Sequence, residues 1–152
     1  MTRRNLFISA ILLLAVALGA AREFVFINLN YQIDHFENHR AFSYAHSAFQ
    51  AVVAGWSLRS LVLLKWASAF ACIALMLLLS LLLAHQLFGD RRYHLAVLLG
   101  FVTIGLVALA LHLMASSIPA LEGISVKLLH ALQYPVVLLF LWAASGLRND
   151  QG

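Results

Sequence analysis

Charge is scarce in this chain: of 152 residues only 11% are Asp, Glu, Lys or Arg, against 63% hydrophobic. A water-soluble domain carries about 25% charged residues, so the polar surface needed to coat a globule in water is missing. With a mean hydropathy of +0.91, the solvent this composition calls for is the bilayer. Cysteine is nearly absent. The lone Cys72 excludes an intrachain disulfide and a CxxC redox motif, and reads as a small packing hydrophobe. Catalytic signatures are missing too: there is no HExxH, no Ser–His–Asp order, no DxxD pair and no phosphatase signature. The net charge of +4 comes from scattered basic residues rather than a basic face, which argues against nucleic acid as a partner.

What the chain does have is four apolar runs, at residues 5–27, 61–83, 95–117 and 124–145. Each approaches the roughly 20 residues that a membrane-crossing helix needs. The expected fold class is therefore an all-α membrane protein, a four-transmembrane-helix bundle forming one integral domain over residues 1–152. Short connections make spans two and three, and three and four, antiparallel neighbours. Pro135 should kink span four and free a backbone carbonyl, and Ser145 and Gly146 should close that span.

Arginine sets the direction. Arg3, Arg4, Arg91, Arg92 and Arg148 fall on one side with Asp90 and Asp150. Arg22, Arg40 and Arg59 fall on the other with Glu23, Asp34, Glu37 and Glu122. The positive-inside rule then puts both termini in the cytoplasm, in a bacterial-type inner or plasma membrane. Trp142 and Tyr93 would anchor the inner interface, and Tyr31, Tyr44, Trp56 and Trp66 the outer one. The first span also has a signal-peptide layout, with small residues at Gly19, Ala20 and Ala21, and "TRRNLF" brushes against a twin-arginine export signal. The apolar phase resumes at "FVFI", which favours an uncleaved anchor.

Between spans one and two lies a polar extracytoplasmic segment, residues 28–60. Over residues 42–57, Phe42, Ala45, Phe49, Val52, Val53 and Trp56 fall on one helical stripe, and Ser43, His46, Ser47, Gln50 and Ser57 on the other. This predicts an amphipathic helix lying in the outer interface or lidding the bundle mouth. Upstream, His35 and His39 stand four apart, so in a helix they share a face, near Asp34 and Glu37. With His46 they form a candidate site for a divalent metal. The plainer reading is a solvated loop.

Ionisable side chains inside the spans are costly at about 2.5–3.5 kcal/mol for a charge at the bilayer centre, and so are candidates for function. Four stand out: Lys65, His112, Lys127 and His130. His112 with Ser116, Lys127 with His130, Tyr134 and the adjacent Gln133, and Lys65 with Ser68 and Cys72 each form a short polar stripe toward the outer end. Counted from the span boundaries, His112 and His130 should sit at matching depth, and Lys65, His112 and His130 should converge beneath the 42–57 helix. The plainer readings are snorkelling for the two lysines and interhelical packing for the two histidines.

Three functions compete. The first is a non-catalytic accessory or assembly subunit, whose polar outer pocket (Lys65, Lys127, Tyr134, Gln133, Ser116) takes another membrane protein or a membrane-lipid headgroup. The second is a cofactor protein, with haem b on His112 and His130 or a divalent metal on His35, His39 and His46. The third is an enzyme acting on a lipid-linked substrate at the outer leaflet, with a histidine as general base and Lys65 and Lys127 on phosphate. Transport is the poorest fit, because no inverted repeat or polar path through the inner half is evident.

Overall fold

The structure is a computed structural model and describes residues 3–149, with side chains described through residue 146. Six helices follow one another: α1 (Arg3–Glu37), α2 (Ser47–Val52), α3 (Leu58–Phe88), α4 (Arg91–Met114), α5 (Ala120–Gln133) and α6 (Val136–Asn149). The fold is all-helical, with no strand among the described residues. Helices α1, α3 and α4 are each long and apolar enough to cross a membrane; α5 and α6 pass the same test together as one bent pair. Their outward faces suit apolar surroundings, since Leu13, Leu63, Leu106 and Phe140 are each at least 60% exposed. In water, so much contiguous apolar surface would drive aggregation.

The expected kink is present. Helices α5 and α6 meet at 60° across Tyr134 and Pro135. Proline brings no N–H to continue the ladder, and Tyr134 before it takes the extended conformation (φ −108, ψ 160) that its ring demands. Helix α6 does not stop at Gly146 but runs on to Asn149. Of the residues that set topology, Asp150 and the side chain of Arg148 lie outside what is described.

Other boundaries shift for identifiable reasons. Helix α1 continues ten residues past the expected end at residue 27, because residues 28–37 contain neither proline nor glycine. At about 1.5 Å per residue it is ~52 Å long, well beyond a hydrocarbon core of ~30 Å. It ends in a Schellman-type turn: the Arg40 N–H donates to the His35 carbonyl at 3.1 Å, and His39 takes a left-handed φ of 47. Ser57 opens α3, its Oγ accepting from the Ser60 N–H at 3.2 Å. Asp90 opens α4, its Oδ1 accepting from the Arg92 N–H at 2.9 Å. Helix α5 begins at Ala120, four residues before the expected start of span four.

The amphipathic helix over 42–57 shrinks to the six residues of α2. Gln50 explains the loss. Its Nε2 donates to the carbonyls of Ser43 and Ala45, which stabilises a looped backbone upstream, and His46 then serves as the N-cap. Of the apolar stripe, Ala45 and Val53 are buried and Phe49 packs on the core, whereas Phe42, Val52 and Trp56 are exposed.

Two compact units divide the chain, Leu18–Cys72 on the one hand and Met1–Ala17 with Ile73–Gly152 on the other. In the first, Leu29 and Ile33 of α1, Val53 after α2 and Leu61 of α3 form the core, flanked by Val25, Phe49, Leu58, Val62 and Leu64. The second contains the α4–α5 hairpin and the bent α5–α6 pair.

Candidate functional site

In the Leu18–Cys72 unit the polar segment folds back onto the C-terminal half of α1. Asn28 is buried and works in both directions: its Nδ2 donates to the Phe24 carbonyl at 2.7 Å, and its Oδ1 accepts from the His46 N–H at 2.5 Å. Higher up, the Asp34 carboxylate binds Arg40 through Nε at 2.6 Å and Nη2 at 3.3 Å, and also accepts from Asn38 Nδ2. Aromatic edges close the fold, with Phe24 against His46, and Tyr44 against both Tyr31 and Phe42.

Two atoms stand apart from this thorough pairing. Gln32 Oε1 and His35 Nδ1 are buried and lack a hydrogen-bond partner among the described residues. They lie one helical turn apart on α1, on the face that also carries Asn28.

The histidines of this segment have separate roles. Helix α1 stops at Glu37, so His39 lies beyond it in a left-handed turn rather than one turn above His35. The Nδ1 of His46 accepts from the Ala48 N–H at 3.2 Å as the cap of α2. Among the described residues no three His, Cys, Asp or Glu side chains are gathered as metal ligands. Arg22 is buried within the fold: its Nη1 pairs with Glu23 at 3.0 Å and its guanidinium lies 4.5 Å from the Phe26 ring centre. That cation–π contact and ion pair are what a guanidinium needs once it leaves water. Lys65 is half-buried on α3.

In the other unit, α4 and α5 form an antiparallel hairpin whose register is fixed by two bonds. Ser125 Oγ donates to the Ala108 carbonyl at 2.8 Å in the buried seam, and His112 Nδ1 lies 2.8 Å from Glu122 Oε2 at the partly exposed turn end. His112 is therefore level with Glu122. His130 lies eight residues beyond Glu122 on α5, ~12 Å along the axis at about 1.5 Å per residue. Matching depth fails. The two imidazoles are offset along the hairpin rather than level with each other. The expectation failed because α5 starts earlier than the apolar run does.

The remaining candidates scatter along the hairpin. Ser116 turns back onto its own helix end, donating to the Leu113 carbonyl at 3.0 Å. Lys127 is exposed, His130 is exposed with its ring 6.5 Å from that of Tyr134, and Gln133 is buried. Because α5 ends at Gln133, Tyr134 leaves the stripe it would share with Lys127 and His130 in a continuous helix.

Sequence reasoning overlooked Asn28 and Gln32 as site residues and Glu122 as the partner of His112. A hairpin centred on "SSIP" rather than on the gap between apolar runs would have brought Glu122 opposite His112. No protein-family model, curated protein or solved structure matches this chain.

Proposed function

We propose that this chain is an integral protein of a bacterial-type inner or plasma membrane. It crosses four times, counting α5–α6 as one bent span, with both termini in the cytoplasm. It acts as a non-catalytic accessory or assembly subunit, and the outer end of α1 takes a polar group from a partner membrane protein or a lipid headgroup.

One observation carries this reading: Gln32 Oε1 and His35 Nδ1, buried and unpartnered on one face of α1. Leaving a buried polar atom unpaired costs about 1–3 kcal/mol. The surrounding segment otherwise satisfies its polar groups closely, through Asn28, Asp34 and Gln50. Two neighbouring exceptions in such a setting favour an incoming hydrogen-bonding group that restores the balance. The imidazole offers a donor or an acceptor by its choice of tautomer, and the amide adds an acceptor beside it.

The test separates binding from folding. A photo-crosslinking residue at exposed Tyr44 should trap a discrete species in intact membranes. Gln32→Leu and His35→Phe should abolish that product while leaving the thermal stability of the purified chain unchanged or higher, since each removes an unpaired polar atom. A crosslink that persists in both variants, together with a drop in stability, would assign these side chains to packing alone.

A further inference from the structure

The turn from α3 to α4 holds a second constellation, which shares no residue with the Gln32–His35 site. A cavity of about 590 Å³ is lined by Leu81 and His85 of α3, by Gly89, and by Arg91, His94, Leu95 and Leu98 of α4. Such a volume falls in the range of small-molecule sites, about 300–1,000 Å³. The turn that builds it is locally determined. Gly89 takes a left-handed φ of 67 after the end of α3, and Asp90 caps α4. Phe88 and Tyr93 stack at 4.1 Å, clamping the two helix ends together. The imidazoles of His85 and His94 come within 5.5 Å, centre to centre.

Polarity in this cavity is graded. Arg91, His85 and His94 stand at the turn end, while Leu81 lies one turn down α3 from His85 and Leu98 two turns along α4 from Arg91. No carboxylate belongs to the lining residues, and the nearby Asp90 is engaged with the backbone of α4. Guanidinium brings five N–H donors in a fork suited to phosphate, and each neutral imidazole can add one more. The leucines run along the helices in the direction an acyl chain would take. A free inorganic anion would use the polar end and gain nothing from the apolar walls.

We infer that the α3–α4 turn is a binding site for an anionic phospholipid, its phosphate held by Arg91, His85 and His94 and its acyl chain laid along Leu81, Leu95 and Leu98. Basic pockets between helices at a membrane surface recognise such headgroups by charge and hydrogen bonding together.

Native mass spectrometry of the full chain in detergent, titrated with dioleoyl phosphatidylglycerol, tests this directly. One lipid should bind well ahead of the rest. Arg91→Gln should weaken that first site by about tenfold or more, the loss expected when charge-assisted hydrogen bonds go. His85→Gln with His94→Gln should also weaken it, and Leu98→Trp should do so by filling the apolar half with every charge in place. Arg92→Gln, next door but outside the lining, should change affinity less than about twofold. Millimolar inorganic phosphate should fail to displace the lipid. Equal losses from Arg91→Gln and Arg92→Gln would reduce the effect to general charge and overturn the assignment. Displacement by inorganic phosphate, or an unchanged affinity in Leu98→Trp, would overturn the lipid as the ligand.

Discussion

Ser125 and Ala108 hold α5 against α4. The Ser125 hydroxyl donates to the Ala108 carbonyl at 2.8 Å, and both residues are buried to within 1%. A side chain as small as serine lets the two backbones approach, and its hydroxyl finds an acceptor that the helix can share. Ser125→Ala should therefore destabilise the chain by about 0.5–1.5 kcal/mol, the net worth of one hydrogen bond. Ser125→Leu should cost more, because it forces the seam apart. Unfolding in mixed detergent reads both, and equal stability of Ser125→Leu and wild type would refute the seam.

His112 and Glu122 meet closer to solvent, with side chains about half exposed. A pair in that setting adds little. A double-mutant cycle through His112→Ala and Glu122→Ala should return a coupling of only ~0.2–1 kcal/mol. A coupling several times larger would mean that the pair is shielded in the membrane-bound protein.

Asn28 bridges α1 and the start of α2 over 18 residues of chain. Asn28→Ala removes the acceptor for the His46 N–H and should cost about 1–3 kcal/mol. The local signature is specific: amide exchange should accelerate at His46 and across residues 40–47, with the interior of α3 unaffected. Uniform acceleration along the whole chain would instead indicate global destabilisation.

His39 occupies a backbone position that favours glycine, with φ 47 in the turn that ends α1. His39→Gly should raise stability by roughly 0.5–1 kcal/mol, since it relieves the left-handed strain without removing a helical residue. Thermal unfolding decides the point, and a loss of stability would assign the imidazole a contact that outweighs the strain.

Pro135 maintains the 60° bend between α5 and α6. With Pro135→Ala the ladder can run on through Tyr134, so spin labels at the exposed positions Lys127 and Phe140 should move apart as the pair straightens. An unchanged distance would place the cause of the bend in packing rather than in the missing N–H.

Much of the helical layout was legible in the sequence, because apolar runs of membrane-crossing length have few alternative readings. Pro135 announced its kink for the same local reason. The register of α4 against α5 was not legible from hydropathy, which marks where a run becomes apolar and not where a helix begins. Glu122 is polar, yet it lies in the first turn of α5, where its charge suits the helix dipole. Residues 42–57 misled in the opposite way: their period is helical, but Gln50 diverts the backbone by bonding to carbonyls upstream. The unpartnered atoms of Gln32 and His35 leave no trace in the sequence, since pairing depends on neighbours that only the fold supplies.

The α4–α5 hairpin also bears on how the chain folds. Its two closing bonds join residues only 10 and 17 apart in sequence. Loops that short cost little entropy to close, and contacts that local form early. In refolding the hairpin should therefore close early, before α6 packs against it. Helix α6, set off by the Pro135 bend, should dock after it, onto a hairpin that is already formed. A probe pair at Ala108 and Ser125 should thus report contact earlier in refolding than a probe on α6 does.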